Sequence, residues 1–256
     1  MRQKIEQEKD NLKNPKNRIW IFGIHAAREA LLNPKREKYR LMLTTNNISK
    51  FSDILSNTTV KVEITDPKKF CPPLDKQNVH QGVALETGPL EWGPLSDICA
   101  PGPSSKLVVL LDRLTDPNNV GAIIRSAEVF GASAVIAPSR HSPHESGALA
   151  KSASGALERQ PYIRVKNLSQ QISQLKKLGY WCIGLDGSSR TELEVGMMKR
   201  FPQSSFALIL GGEGNGLRDL TKKNCDELVR IGDNKSFGSL NVSNAAAVAM
   251  FCLKMR

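Results

Sequence analysis

The chain has 256 residues, with 36 Lys and Arg against 25 Asp and Glu, a formal charge of +11. That length suits one large domain, or a small one joined to a medium one. A hydrophobic share of 40% supports a packed core and excludes a chain disordered throughout. No apolar run approaches the roughly 20 residues a membrane span needs, and MRQKIEQEKDNLKNPKN at the start lacks the apolar core of a secretory signal. A cytoplasmic protein without membrane contact is expected.

Residues 1–16 read as a charged tail. RIWIFGIHAAREALL (18–32) reads as a short strand, a Gly turn and a helix, with Ala26, Ala27, Ala30 and Leu31 at helical spacing and Pro34 as the stop. Runs 41–43 and 60–64 are β-like and flank a helix over 48–55; 79–85 is a further strand. Residues 17–88 thus form a small βαβ-type domain. Residues 89–105, with Pro89, Pro94, Pro101 and Pro103 among Gly and Ser, have the composition of a linker.

From 106 onward the pattern alternates. Apolar runs at 107–111, 134–137, 162–165, 180–185, 206–210 and 228–231 are separated by helices over 120–130, 147–157 and 168–178, and a last helix starts near Val242. Such alternation predicts an α/β domain, a parallel sheet with helices on both faces.

The five cysteines form no CxxC pair, and the four histidines have no ligands at zinc-finger spacing. Neither a disulfide framework nor a bound metal is expected. The positive charge is spread over both halves and points to an acidic partner, of which nucleic acid is the commonest.

Ligands of open α/β sheets bind beyond the carboxyl ends of the strands, and three polar clusters fall there. The first is Asp112 to Asn119, leading to Arg125; Asn119 reads as the N-cap of the helix from Val120. Arg125 flanks the apolar stripe of that helix, where an arginine usually needs a partner. The second is Gly211-Gly212-Glu213-Gly214-Asn215-Gly216, which matches neither G-x-G-x-x-G nor a Walker loop; Glu213 inside it disfavours a phosphate and leaves a neutral or cationic cofactor. Alone it reads equally well as a glycine-rich connection with a solvated glutamate. The third is Ser236 to Ser243, which also reads as a cap for the last helix.

Taken together and in this order, DPNNVGAIIRSAEVFGA (116–132), LILGGEGNGL (208–217) and SLNVSNAAA (239–247) resemble the three motifs of the SpoU/TrmH-type 2′-O-ribose RNA methyltransferases. WIFGIHAAREALL (20–32) resembles the start of the small substrate-binding domain of the subgroup that methylates a guanosine of 23S rRNA. KSASGALE (151–158) and LTKKNCDELVRI (220–231) point to the same subgroup.

The resemblance implies Asn119, Arg125, Glu213 and Asn241 as active-site residues. It implies S-adenosylmethionine as cofactor, held at Leu210, Gly211, Ile231 and Leu240 with Gly187 and Ser239 nearby. It further implies a C-terminal trefoil knot, against general chain-passage rules, and a homodimer. Asn244 stands where the family often has an apolar residue. Guanidinium stays protonated in proteins, so Arg125 is expected to stabilise a developing alkoxide. Three rivals remain: a tRNA methyltransferase, a non-catalytic RNA-binding assembly factor on the same scaffold, and a nucleotide-dependent oxidoreductase, for which 112–121 lacks the fingerprint.

Overall fold

The computed structural model describes residues 18–75, 77–196, 205–214, 216–232 and 240–254. The charged stretch 1–16 and Ser239 therefore lie outside the described residues.

The first elements are β1 (Ile19–Phe22), α1 (Ile24–Leu32), β2 (Lys38–Thr44), α2 (Ile48–Leu55), β3 (Lys61–Thr65) and β4 (Val83–Thr87). There follow α3 (Leu95–Ile98), β5 (Leu107–Asp112), α4 (Pro117–Val129), β6 (Ala134–Pro138), α5 (Gly147–Ala153), β7 (Tyr162–Val165) and α6 (Leu168–Lys177). The last are β8 (Tyr180–Leu185), β9 (Ser205–Gly211), α7 (Asp219–Asn224), β10 (Glu227–Val229) and α8 (Val242–Lys254).

The chain divides into two compact units. One runs to Glu91 and also takes Glu145–Lys151; the other holds Trp92–His144 and Ser152 onward.

The first unit is a four-stranded sheet of order β1-β4-β2-β3. β2, α2 and β3 form a parallel βαβ crossover, while β4 enters antiparallel between β1 and β2. α1 buries Ala26, Ala27, Ala30 and Leu31, the stripe its spacing predicts. β4 starts at Val83 rather than 79, because Gln81 (φ 57°) and Gly82 (φ 73°) leave extended geometry just before it. Phe51, Ile21, Leu41, Leu43 and Leu85 are fully buried at the centre, each contributing about 1.5–3 kcal/mol of transfer free energy. The Arg36 guanidinium is buried and bonded to Gly88 O at 2.9 Å and to the Glu145 carboxylate.

The second unit is a six-stranded sheet of order β10-β8-β9-β5-β6-β7 with every pairing parallel. β5 is buried at all six positions, as a strand covered on both faces must be. On one face Val108, Leu110, Ile136, Ala207 and Ile209 pack with Leu168, Ile172 and Leu175 of α6. On the other lie α4 and α8, which contact each other; α8 also contacts β9. The Pro-rich stretch 89–105 is not bare linker: Leu95 and Ile98 of α3 pack against this core, Cys99 is buried in it, and the Tyr180 hydroxyl donates to Cys99 O at 3.1 Å. The helix expected over 147–157 ends at Ala153. Ser154 (φ 50°) and Gly155 (φ 91°) turn the chain into a short 3-10 segment, Ala156–Glu158.

Candidate functional site

Starting from β5, the chain places β6 and β7 on one side of it, then β8, β9 and β10 on the other. The order reverses between β5 and β9, and that switch point is where parallel sheets bind ligands. Asp112, the last residue of β5, stands in register with Gly211, the last of β9.

α4 begins earlier than its sequence pattern predicts. Asp116, not Asn119, is its N-cap, accepting from Asn118 N at 2.9 Å, and Pro117 occupies the first helical position. Asn119 thus sits inside the first turn with its amide free for other partners. That amide donates through Nδ2 to Glu213 Oε1, and its Oδ1 accepts from Asn241 Nδ2 at 3.0 Å. The Asn241 Oδ1 in turn accepts from Ser243 N at 2.8 Å and from Ser243 Oγ at 2.6 Å, capping α8. Three loops, after β5, β9 and β10, are joined by one run of side-chain hydrogen bonds.

The glycine-rich loop makes this closure possible. A Cβ on Gly211 would lie 2.2 Å from the Gly216 backbone, so only glycine lets the loop fold back on itself. Gly216 N closes it by donating to Gly212 O at 3.0 Å.

Arg125 does not join the group. It follows Asn119 by six residues, which at 3.6 per turn sets the two about 120° apart around the helix. Its side chain is exposed and bonded to no described residue.

Two supporting carboxylates received no role from the sequence, although Asp112 opens the first polar cluster. Asp112 is buried and accepts from Arg218 Nε at 2.7 Å, Arg218 N at 3.2 Å and Thr221 Oγ1 at 2.7 Å, which pins the exit of the glycine loop to β5. Its signal was a charged residue closing an otherwise unbroken apolar run. Asp186 follows β8 and accepts from Ser188 N at 2.9 Å and Ser188 Oγ at 2.8 Å, shaping the turn at Gly187, while Lys222 Nζ approaches to 2.7 Å. Burial opposes its charged form, but the Lys222 and Ser188 donors outweigh that and hold its carboxyl below the usual 3.8.

The residues proposed for the cofactor divide by what they expose. Gly187 and Ile231 follow β8 and β10, and Gly211 ends β9; the three strands are neighbours in the sheet. Leu240 is 54% exposed, unusual for a leucine, and Gly187 has open space where a Cβ would stand. The Leu210 side chain is fully buried, so only its backbone remains for a ligand. This set offers backbone and apolar surface with no lysine or arginine of its own, which suits a neutral or cationic ligand better than a phosphorylated one.

Residues 106–251 match the SpoU rRNA Methylase family, and residues 20–93 match the family described as RNA 2′-O ribose methyltransferase substrate binding. The chain is 35% identical over 237 residues to the 23S rRNA (guanosine-2′-O-)-methyltransferase RlmB of Pseudomonas syringae, covering 90% of this chain and 93% of that protein. It is 35% identical over 246 residues to the RlmB of Xylella fastidiosa, covering 93% and 96%. In fold it resembles the SpoU methyltransferase AviRb from Streptomyces viridochromogenes in complex with AdoMet, with a TM-score of 0.76 at 22% identity over 93% of this chain and 89% of that one. With both halves of the chain matched and the relatives aligned over nearly their full length, the protein belongs to the SpoU rRNA methylase family.

Proposed function

We propose that the protein transfers a methyl group from S-adenosylmethionine to the ribose 2′-oxygen of a guanosine in 23S rRNA. The observation that carries this reading is the convergence of Asn119, Glu213 and Asn241 at the switch point of the sheet. The full-length relatives named as 23S rRNA guanosine-2′-O-methyltransferases support the substrate.

The apolar, uncharged donor set at Gly187, Leu210, Gly211, Ile231 and Leu240 fits an adenosyl sulfonium and would hold it against backbone. When bound, that cofactor supplies an electrophilic methyl group. The chain's own residues do the rest. Glu213 and Asn241 fix the Asn119 amide so that it is presented in one orientation to the ribose. Holding the nucleophile in line contributes much of the rate. Arg125 keeps its proton and stabilises the negative charge that grows on the 2′-oxygen, whose own proton passes to solvent water as the new oxygen–carbon bond forms.

Arg125 reaches such a site from a second copy of the chain. Its exposure, its lack of a described partner and its position about 120° around α4 from Asn119 support a homodimer in which each site borrows the partner's arginine. A trefoil knot in the C-terminal part is supported by the described residues 191–196 of the β8–β9 connection, which bond to Arg230 just after β10 and to Cys252 of α8. Leu193 N donates to Arg230 O at 2.8 Å, Arg230 N to Thr191 O at 2.9 Å, and Gly196 N to Cys252 O at 3.1 Å. Residues 17–88 act as an RNA-gripping domain and 106–256 as the methyltransferase domain, and the enzyme works in the cytoplasm. RNA affinity is dominated by phosphate contacts from the basic chain and falls with salt.

Mapping 2′-O-methyl groups in RNA from cells lacking the protein tests this. Loss of one methylguanosine in 23S rRNA is expected; intact 23S methylation, or a loss confined to tRNA, would refute the substrate.

A further inference from the structure

Arg113 has φ 61°, the left-handed region, where a side chain with a Cβ is strained. Two features enforce that conformation. Asp112, immediately before it, is clamped inside the fold by Arg218 and Thr221. Gly212 lies against its backbone, where a Cβ would stand 2.8 Å from Arg113 O.

The result is an arginine at a cleft of about 430 Å³ whose walls include Glu213, Leu217 and Asp219. The Arg113 guanidinium is exposed and bonded to no described residue, and the exposed Asp219 carboxylate likewise accepts no hydrogen bond from one. Arg218 also lines the cleft but is committed to Asp112.

Two carboxylates beside one uncommitted arginine do not make a phosphate site. They make a site for a neutral group with donors on one edge and acceptors on another. Among the RNA bases, guanine matches: O6 and N7 accept a guanidinium fork, while N1–H and the 2-amino group donate to a carboxylate. Adenine would turn its 6-amino donor toward Arg113, and the pyrimidines lack the O6/N7 pair.

We propose that this cleft is a guanine-recognition subsite, with Arg113 donating to O6 and N7 and Asp219 accepting from N1–H and N2. It rests on the methyl-transfer reading above, and Glu213 belongs both to the cleft wall and to the Asn119 group. Base and ribose of one nucleotide then occupy neighbouring places, so the chain itself selects which nucleoside presents its 2′-oxygen.

The test assays the full-length protein on a short RNA hairpin carrying the mapped target guanosine, and on hairpins with 7-deazaguanosine or inosine in its place. In the wild type, removing N7 or the 2-amino group should each lower kcat/KM about tenfold. Arg113→Ala should lower activity on guanosine by a similar factor and become indifferent to 7-deazaguanosine. Asp219→Ala should become indifferent to inosine. Arg113→Gly removes the side chain while relieving the backbone strain, and should behave as Arg113→Ala does. S-adenosylmethionine affinity, read by calorimetry, should be unchanged in all three. Equal analogue penalties in wild type and variants would overturn the subsite alone. A wild type that methylates no RNA ribose would overturn the methyl-transfer reading and the subsite with it.

Discussion

Asn241 Nδ2 stands 3.0 Å from Asn119 Oδ1, joining residues 122 positions apart. Because Asn241 spends its own carbonyl on capping α8, the orientation of both amides is set, and the Asn119 Nδ2 is left facing Glu213. Glu213→Ala removes the acceptor that fixes this amide. Methyl transfer should fall by about 10²-fold, in line with losing one preorganised polar group from a site. Glu213 is exposed, so stability should change by less than about 0.5 kcal/mol. Steady-state kinetics with a parallel thermal melt reads both.

Asp112→Ala should act on stability first. It strips a buried carboxylate from Arg218 and Thr221. Arg218 is about one-third exposed and can be partly rehydrated, so the cost should fall near 2–3 kcal/mol, below that of a fully buried pair. Denaturant titration measures it, and a loss under 0.5 kcal/mol would contradict the role given to Asp112.

The Asp186 carboxyl has a depressed pKa in the folded chain. Its contribution is therefore complete above the unfolded value of 3.8 and is lost as pH falls through the lower folded value. The turn at Gly187 should loosen over that acid range and S-adenosylmethionine affinity should drop with it. Asp186→Asn should weaken binding several-fold at neutral pH and flatten the acid dependence. Calorimetric titrations at a series of pH values test both statements.

If each site takes its arginine from the partner, two inactive variants should rescue each other. Asn119→Ala and Arg125→Ala homodimers should both be inactive. Mixed heterodimers carry one site with Asn119 from one chain and Arg125 from the other, so co-refolded protein should regain part of the wild-type rate. No regain in a confirmed heterodimer would place Arg125 in its own chain's site.

Much of the fold is legible from apolar periodicity. α1, α2, α4 and α6 and the strands of the large sheet follow it closely. Three features depend on partners far along the chain. β4 enters between β1 and β2 by antiparallel pairing that local pattern does not encode. α3 is helical because Leu95 and Ile98 find the core, although Pro and Gly surround them. Asp112 is buried because Arg218, 106 residues on, neutralises it. Asn119 was misplaced for a local reason: Asp116 and Asn119 are both good caps, and Pro117 decides for the former by preferring the first helical position. Of the residues singled out, Asn119, Glu213 and Asn241 meet within one chain, whereas Arg125 does not.

The most direct measurement is transfer of an isotopically labelled methyl group from S-adenosylmethionine to purified 23S rRNA, followed by nuclease digestion and mass spectrometry of the nucleosides. The wild-type protein should place the label in 2′-O-methylguanosine at one position, and Asn119→Ala should place none. Label on a base, or undiminished ribose labelling by Asn119→Ala, would contradict the central role of the joined loops.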